Sequence, residues 1–356
     1  MNTRLGYACI SETLQSLKPS VICGKTCRLK TAIAAGVQTG HPKGSADYSA
    51  GIYNFLADYG RRNLDSMYKI IAWSHKSGIY FYRMSSSMFP HIGSLHIKHH
   101  MIPKHWTMYN NLAFATDIIH QIGMYVQKYQ IRLTMHPGQY NQMGAKDESV
   151  LINTFLDLSW QAVLLQLLDN AAEYYRGFDP SHENILNHSI LCVHGGGTYK
   201  DKAATIVRWK QNFLKFPEFI RKRIALENDE KGYCVDDLLP ICNELKIPLI
   251  FDFHHYACWA NYHQDHPYQR SISDMLPAIL ETWNVRQMIP KFHLSDQAAG
   301  KKVGAHHDYV ENIPNELLKL MTTDYRFDIM IEAKKKELAT HRLQIKYKDY
   351  LYPSNK

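Results

Sequence analysis

The feature that most narrows what this chain can fold into is an alternation repeated eight times. Short apolar runs, most closed by a polar or charged residue, alternate with longer amphipathic stretches along the chain. The runs lie at 4–10 (RLGYACI), 79–86 (IYFYRMSS), 131–135 (IRLTM), 189–193 (SILCV), 224–226 (IAL), 250–256 (IFDFHHY), 288–294 (MIPKFHL) and 327–331 (FDIMI). Their length and bulky residues predict buried strands. Apolar residues at helical spacing predict helices over 48–76, 107–129, 150–175, 202–221 with an interruption near Pro217, 235–245, 271–283 and 311–321, and a basic helix closes the chain. No shift in composition marks a domain boundary. Eight strand–helix units therefore predict a parallel sheet closed into a (β/α)8 TIM barrel over 1–356, with the active site at the C-terminal strand ends. An open, doubly wound sheet is the structural runner-up. Residues 11–44 hold Pro19, Gly24, Gly36, Gly40, Pro42 and Gly44 and are expected to be irregular.

Composition excludes little but points one way. Hydrophobic residues make up 45% and charged residues 21%, which suits a globular chain with a large core. No apolar run is expected to reach the length of a membrane span, and the N-terminus lacks the layout of a secretory signal. Seven scattered cysteines suggest free thiols and an intracellular, reducing compartment. A net charge of +8 is a mild bias towards polyanions.

The 20 histidines are the unusual count, and their positions say more than their number. In a barrel the strand ends converge on one mouth. Read in order they are Tyr7, Arg83, His136, His194, Glu227, Asp252 with His255, Lys291 with His293, and Glu332; His306 and His307 follow in the next loop. Asp252 and His255 are three apart, where a strand is expected to turn into a loop. Taken singly, each has a bland reading: a hydrogen-bonded loop histidine, a tight turn at HGGG, a surface ion pair for Glu332, a buried one for Lys291. Taken together, seven or more ionisable groups would crowd one mouth unpaired, at a large desolvation cost. Two or three divalent ions would balance that charge, and mixed imidazole and carboxylate donors suit Zn or Mn. Such a cluster serves hydrolytic displacement at phosphorus or sugar isomerisation, and the residues alone leave both open.

The stretches RLGYA (4–8), YRMSSSMFPH (82–91), HPGQY (136–140), VHGGG (193–197), LEND (226–229), FDFHH (251–255), KFHLSD (291–296), AHHDYV (305–310) and IMIEAKKKE (329–337) together resemble the UV damage endonuclease family, related to endonuclease IV. They span almost the whole chain in family order, and the chain is expected to be the catalytic barrel without the long N-terminal extension of fungal members. The resemblance implies a TIM barrel that nicks double-stranded DNA immediately 5′ to UV photoproducts (cyclobutane pyrimidine dimers and 6-4 photoproducts), leaving a 3′-hydroxyl and a 5′-phosphate. It implies two or three divalent ions, Mn favoured and Mg or Zn possible alternatives. The ligands it implies are His136, His194, Glu227, Asp252, His255, His293, His306 and Glu332, with Glu227 bridging, His306 or His307 open, and Lys291 carboxylated as an extra anionic ligand. It further implies that Gln139 and Tyr140 probe the duplex opposite the lesion, and that Tyr7 and His91 lie near the lesion and scissile phosphate, with Arg83 also among the DNA-binding residues. Loop lysines 98, 104, 146, 200 and 202 are candidate phosphate contacts. A monomer is expected, with no membrane partner. The alternatives are a barrel sugar isomerase or epimerase and a lesion-binding protein without turnover.

Overall fold

The computed structural model describes residues 3–265, 268 and 270–351. Eight parallel strands close a barrel in sequence order: β1 Arg4–Ala8, β2 Phe81–Met84, β3 Arg132–Met135, β4 Leu191–His194, β5 Ile224–Glu227, β6 Leu249–Asp252, β7 Lys291–Leu294 and β8 Asp328–Ile331. The first strand pairs with the last, Arg4 opposite Asp328, which closes the sheet.

Side chains alternate in and out along each strand. The outward set, including Leu5, Tyr82, Leu133, Leu226, Phe251 and Ile329, is buried against the surrounding helices and forms the main core. The inward set is smaller and mixed: Ala8, Phe81 and Met330 form one cluster, and Ile190, Cys192, Ala225 and Ile250 belong to another. Gly6 faces inward beside Phe81, where a Cβ would lie 2.4 Å from the Phe81 carbonyl oxygen. Only glycine leaves room there.

At the N-terminal end of the barrel the interior is polar, and the Asp328 carboxylate is paired on both oxygens. Asp328 Oδ1 accepts from Arg4 Nε at 3.0 Å, and its Oδ2 accepts from Arg132 Nη1 at 2.9 Å. Both guanidiniums also donate to main-chain carbonyls, Arg4 to Gln130 and Arg132 to His188 and Pro290.

Four expectations need correction. First, residues 29–37 form a helix, Leu29–Val37. Gly36, read as a breaker, is buried against the long helix Ala46–Lys76, and a Cβ there would meet Tyr48 O at 2.9 Å. The glycine serves close helix packing. Second, the helix expected over 107–129 is two, Pro103–Asn110 and Thr116–Lys128, parted where Leu112 adopts a left-handed φ of 57°. Third, the run IFDFHHY does not continue as strand or loop. It stops at Asp252, whose carboxylate caps the helix Phe253–Tyr262 by accepting from His255 N–H. Fourth, Glu148–Arg176 is long and apolar enough by length and composition to cross a membrane. Its apolar face is instead occupied: Leu158, Leu164, Leu165 and Leu168 are buried in the main core, and Asp169 pairs with Arg223.

Candidate metal centre

The inward residues of the last strand positions meet at the C-terminal mouth, and Glu227 is at their centre. It ends β5, is buried, and its two carboxylate oxygens face different partners. Oε2 lies 3.1 Å from His136 Nε2, 3.7 Å from His194 Nε2 and 2.7 Å from Cys192 Sγ. Oε1 lies 2.7 Å from His293 Nδ1 and 3.7 Å from His255 Nδ1. Three triads with donor atoms within 4.8 Å of one another share it: His136–Cys192–Glu227, His194–Glu227–His255 and Glu227–Asp252–His293. Glu332, ending the β8 run, reaches His293 Nδ1 at 3.2 Å and forms an ion pair with Arg83. His306 comes in from the loop after β7, with Nδ1 4.0 Å from Glu332 Oε2.

The residues fit divalent ions on two structural counts. The first is ring orientation. His136, His255 and His306 turn Nδ1 towards main-chain carbonyls, those of Pro137 (3.0 Å), Asn228 (2.8 Å) and Glu332 (2.6 Å). An Nδ1–H donated there leaves Nε2 as a lone-pair donor, the tautomer control typical of metal-ligating histidine. The second is unmet demand. Asp252 Oδ2, His293 Nε2, His194 Nδ1 and Lys291 Nζ are buried without a hydrogen-bond partner. A buried polar atom left unpaired is costly, so groups of this kind call for a ligand.

Charge in the cluster is strongly perturbed. Burial pushes the Asp252 carboxyl up to about 7, against the pull of His255. Burial opposes the charged form of His255 too, but Asp252 and Glu227 raise it to about 10. His293, fully buried, drops to about 4. Burial also acts against ionised Glu227, yet His293 and His194 hold its carboxyl well below the usual range. Lys291 is 0% exposed and burial lowers its ammonium to about 8.

The expected residues do not all gather. His136, His194, Glu227, Asp252, His255, His293, His306 and Glu332 converge, with Lys291 two residues before His293 on β7 and one inward layer deeper. His307 turns away: its ring bonds locally to Tyr309 and its N–H to Asp296. Tyr7 does not reach the mouth. It is 0% exposed on the outer face of β1, with its hydroxyl 2.7 Å from Ser74 Oγ on the helix Ala46–Lys76. Strand alternation places it opposite to inward Gly6 and Ala8. Arg83 does face inward, but its guanidinium is held on Glu332 and not presented to solvent. His91 lies in the loop after β2 with a left-handed φ of 58°, its Nε2 3.0 Å from the Cys27 carbonyl.

Around the mouth, Gln139 and Tyr140 stand on the loop after β3, and Tyr140 is 80% exposed. Gln139 joins His194, Gly197, Asp229, Lys231 and His255 in lining a cleft of about 440 Å³. Lys98, Lys104, Lys146 and Lys200 are exposed. Lys202 is not free: its Nζ donates to Asp237 at 2.8 Å and lies over the Tyr233 and Trp259 rings. Two residues outside the expected ligand set also shape the site. Cys192 is in the cluster floor. Asn228 pins β5 to β6 by accepting from Asp252 N–H and donating to its carbonyl. All seven cysteines are free.

Comparison with known proteins is consistent in direction. Residues 3–352 match the family model described as UV-endonuclease UvdE. A relative in Acanthamoeba polyphaga mimivirus is 35% identical over 97% of this chain and 92% of its own length. The UV-damage endonuclease of Schizosaccharomyces pombe is 31% identical over 97% of this chain, which spans 50% of that protein. The crystal structure of SacUVDE superposes with a TM-score of 0.72 at 25% identity, covering 98% of both chains.

Proposed function

The chain belongs to the UV-endonuclease UvdE family, and from that premise we propose that it is a DNA repair endonuclease. It acts inside the cell, as a monomer, and nicks the damaged strand of duplex DNA immediately 5′ to UV photoproducts, leaving a 3′-hydroxyl and a 5′-phosphate. The observation that supports this best is Glu227, common to three donor triads in a buried mouth with unpaired atoms.

His136, His194, Glu227, Asp252, His255, His293, His306 and Glu332 would hold two or three divalent ions, Mn favoured. Such ions supply an activated water and neutralise charge on the phosphate and leaving oxygens. Glu227 holds the cluster together by offering one carboxylate oxygen to each side. Main-chain carbonyls orient His136, His255 and His306 so that Nε2 is the donor. Arg83 keeps Glu332 ionised and aimed at the cluster. The neutral Lys291 amine adds to carbon dioxide, forming an N–C bond and releasing one proton to solvent, to become an anionic carbamate; its burial without a hydrogen-bond partner supports this. An intact mass under gentle ionisation that shows only the plain amine counts against it.

Tyr140, exposed and flat, stacks in the duplex opposite the lesion, and Gln139 lines the cleft beside it. A photoproduct already weakens stacking and pairing, so extruding it costs less than extruding a normal base. Lys98, Lys104, Lys146 and Lys200 contact phosphates, which makes binding salt-dependent.

The test uses an end-labelled duplex with one photoproduct at a known position. The proposal expects a single metal-dependent nick at the 5′ side, with an end that a polymerase extends directly. Cutting at random positions, or none by folded metal-loaded protein, overturns it.

A further inference from the structure

Cys192 stands outside every role assigned so far. It is the residue two before His194 on β4, so both side chains project inward, Cys192 one layer deeper. It is fully buried. Its Sγ lies 2.7 Å from Glu227 Oε2, the oxygen that also faces His136 Nε2 at 3.1 Å. These three side chains form one of the three donor triads, and this is the one among them that includes sulfur. The thiol's hydrogen bond is to Glu227, so the floor of the mouth places nitrogen, oxygen and sulfur donors within 4.8 Å of one another.

We propose that Cys192 is a thiolate ligand, forming with His136 and Glu227 a mixed N/O/S subsite that takes a thiophilic divalent ion such as Zn²⁺ or Co²⁺. This rests on reading the mouth as a metal centre and adds chemical differentiation within it. The other two triads offer nitrogen and oxygen alone. Thiolate favours Zn²⁺ over Mn²⁺, whereas carboxylate suits Mn²⁺. Binding breaks the S–H bond, forms a sulfur–metal bond and releases the proton to solvent. One cluster would then hold two kinds of site, a sulfur-containing one in the floor and harder ones at the rim.

The experiment titrates metal-free full-length protein with Co²⁺ and follows absorbance. Visible bands report Co²⁺ in any protein site; a near-ultraviolet band reports sulfur-to-metal charge transfer. The proposal expects both in the parent, with loss of the near-ultraviolet band in C192S and its retention in C258S, a control for the other cysteine beside a histidine. Zinc affinity of C192S should fall by at least about 10-fold, and Mn²⁺ affinity by less. Visible bands without the charge-transfer band, or a band unchanged in C192S, overturns the proposal and leaves the metal centre standing. No Co²⁺ binding at all overturns both. Should C192S misfold, X-ray absorption of zinc-loaded parent protein decides: a Zn–S shell at about 2.3 Å supports the assignment, and nitrogen and oxygen alone refute it.

Discussion

The two ends of this barrel bury charge in opposite ways. At the N-terminal end, Asp328 sits between Arg4 and Arg132, all three buried, with main-chain carbonyls taking further guanidinium hydrogens, so that both carboxylate oxygens are matched and one Nη2 on each arginine goes without a hydrogen-bond partner. There, the Asp328 carboxyl is lowered by the two arginines in spite of its burial. At the C-terminal end, Glu227, Asp252, His293 and Lys291 are equally buried, yet Asp252 Oδ2, His293 Nε2 and Lys291 Nζ have no hydrogen-bond partner. Burial alone therefore does not mark function. A plug whose carboxylate is matched within the protein is structural; a cluster whose demand exceeds what the protein supplies is prepared for something else.

Substitutions at the two ends should separate cleanly. The largest effect is at the mouth: Glu227→Gln should cut incision by about 10⁴-fold or more, the scale of losing one member of a cooperating set. A gel shift should show that it still binds irradiated duplex. Normal incision by this variant would break the comparison at its centre. At the opposite end, Asp328→Ala strands two buried guanidiniums and should cost about 3–5 kcal/mol in urea unfolding while bound metal stays unchanged. Tyr140→Ala alters the rim of the mouth and leaves both the buried cluster and the buried plug untouched. It should weaken binding of damaged duplex by about 1–3 kcal/mol, read by fluorescence anisotropy, with melting temperature and metal content intact.

The smallest effect is the most discriminating. Asp252→Asn keeps the side-chain oxygen that caps the helix Phe253–Tyr262 and removes a buried charge, so the metal-free protein should change by no more than about 1 kcal/mol near neutral pH, in contrast to Asp328→Ala. Its pH dependence has a definite sign. With the folded carboxyl at about 7 and an unfolded one near 4, the folded state holds a proton that the unfolded state has released between those values. The contribution of Asp252 to stability thus falls as pH rises through that window. Melting of chelated protein should show the variant gaining on the parent from pH 4 to 7 and the gap levelling off above it. A gap of constant size would show that Asp252 is not the perturbed group.

The strand alternation carried most of the fold, and strand ends carried most of the site. His136, His194, Glu227, Asp252, His293 and Glu332 all lie where a strand closes, and the barrel gathers strand ends by geometry. The misses share a cause. Alternation along a strand puts Cys192 on the same face as His194 in β4 and turns Tyr7 away from inward Gly6 and Ala8 in β1, so both placements follow from a period of two and not from position at a strand end. The helix after Asp252 was hidden because FHHY carries bulky residues that suit either state; the capping carboxylate decided it. That Arg83 is held by Glu332 and Lys202 by Asp237 depends on tertiary neighbours far apart in the chain.

The central claim, a metal-dependent nuclease selective for ultraviolet damage, is tested most directly on supercoiled plasmid. Irradiated and untreated plasmid are incubated with the protein in Mn²⁺ or in chelator, and nicked circles are counted. The structure and family together predict nicking of irradiated plasmid only, abolished by chelator. Equal nicking of both plasmids, or nicking undiminished by chelator, would contradict it.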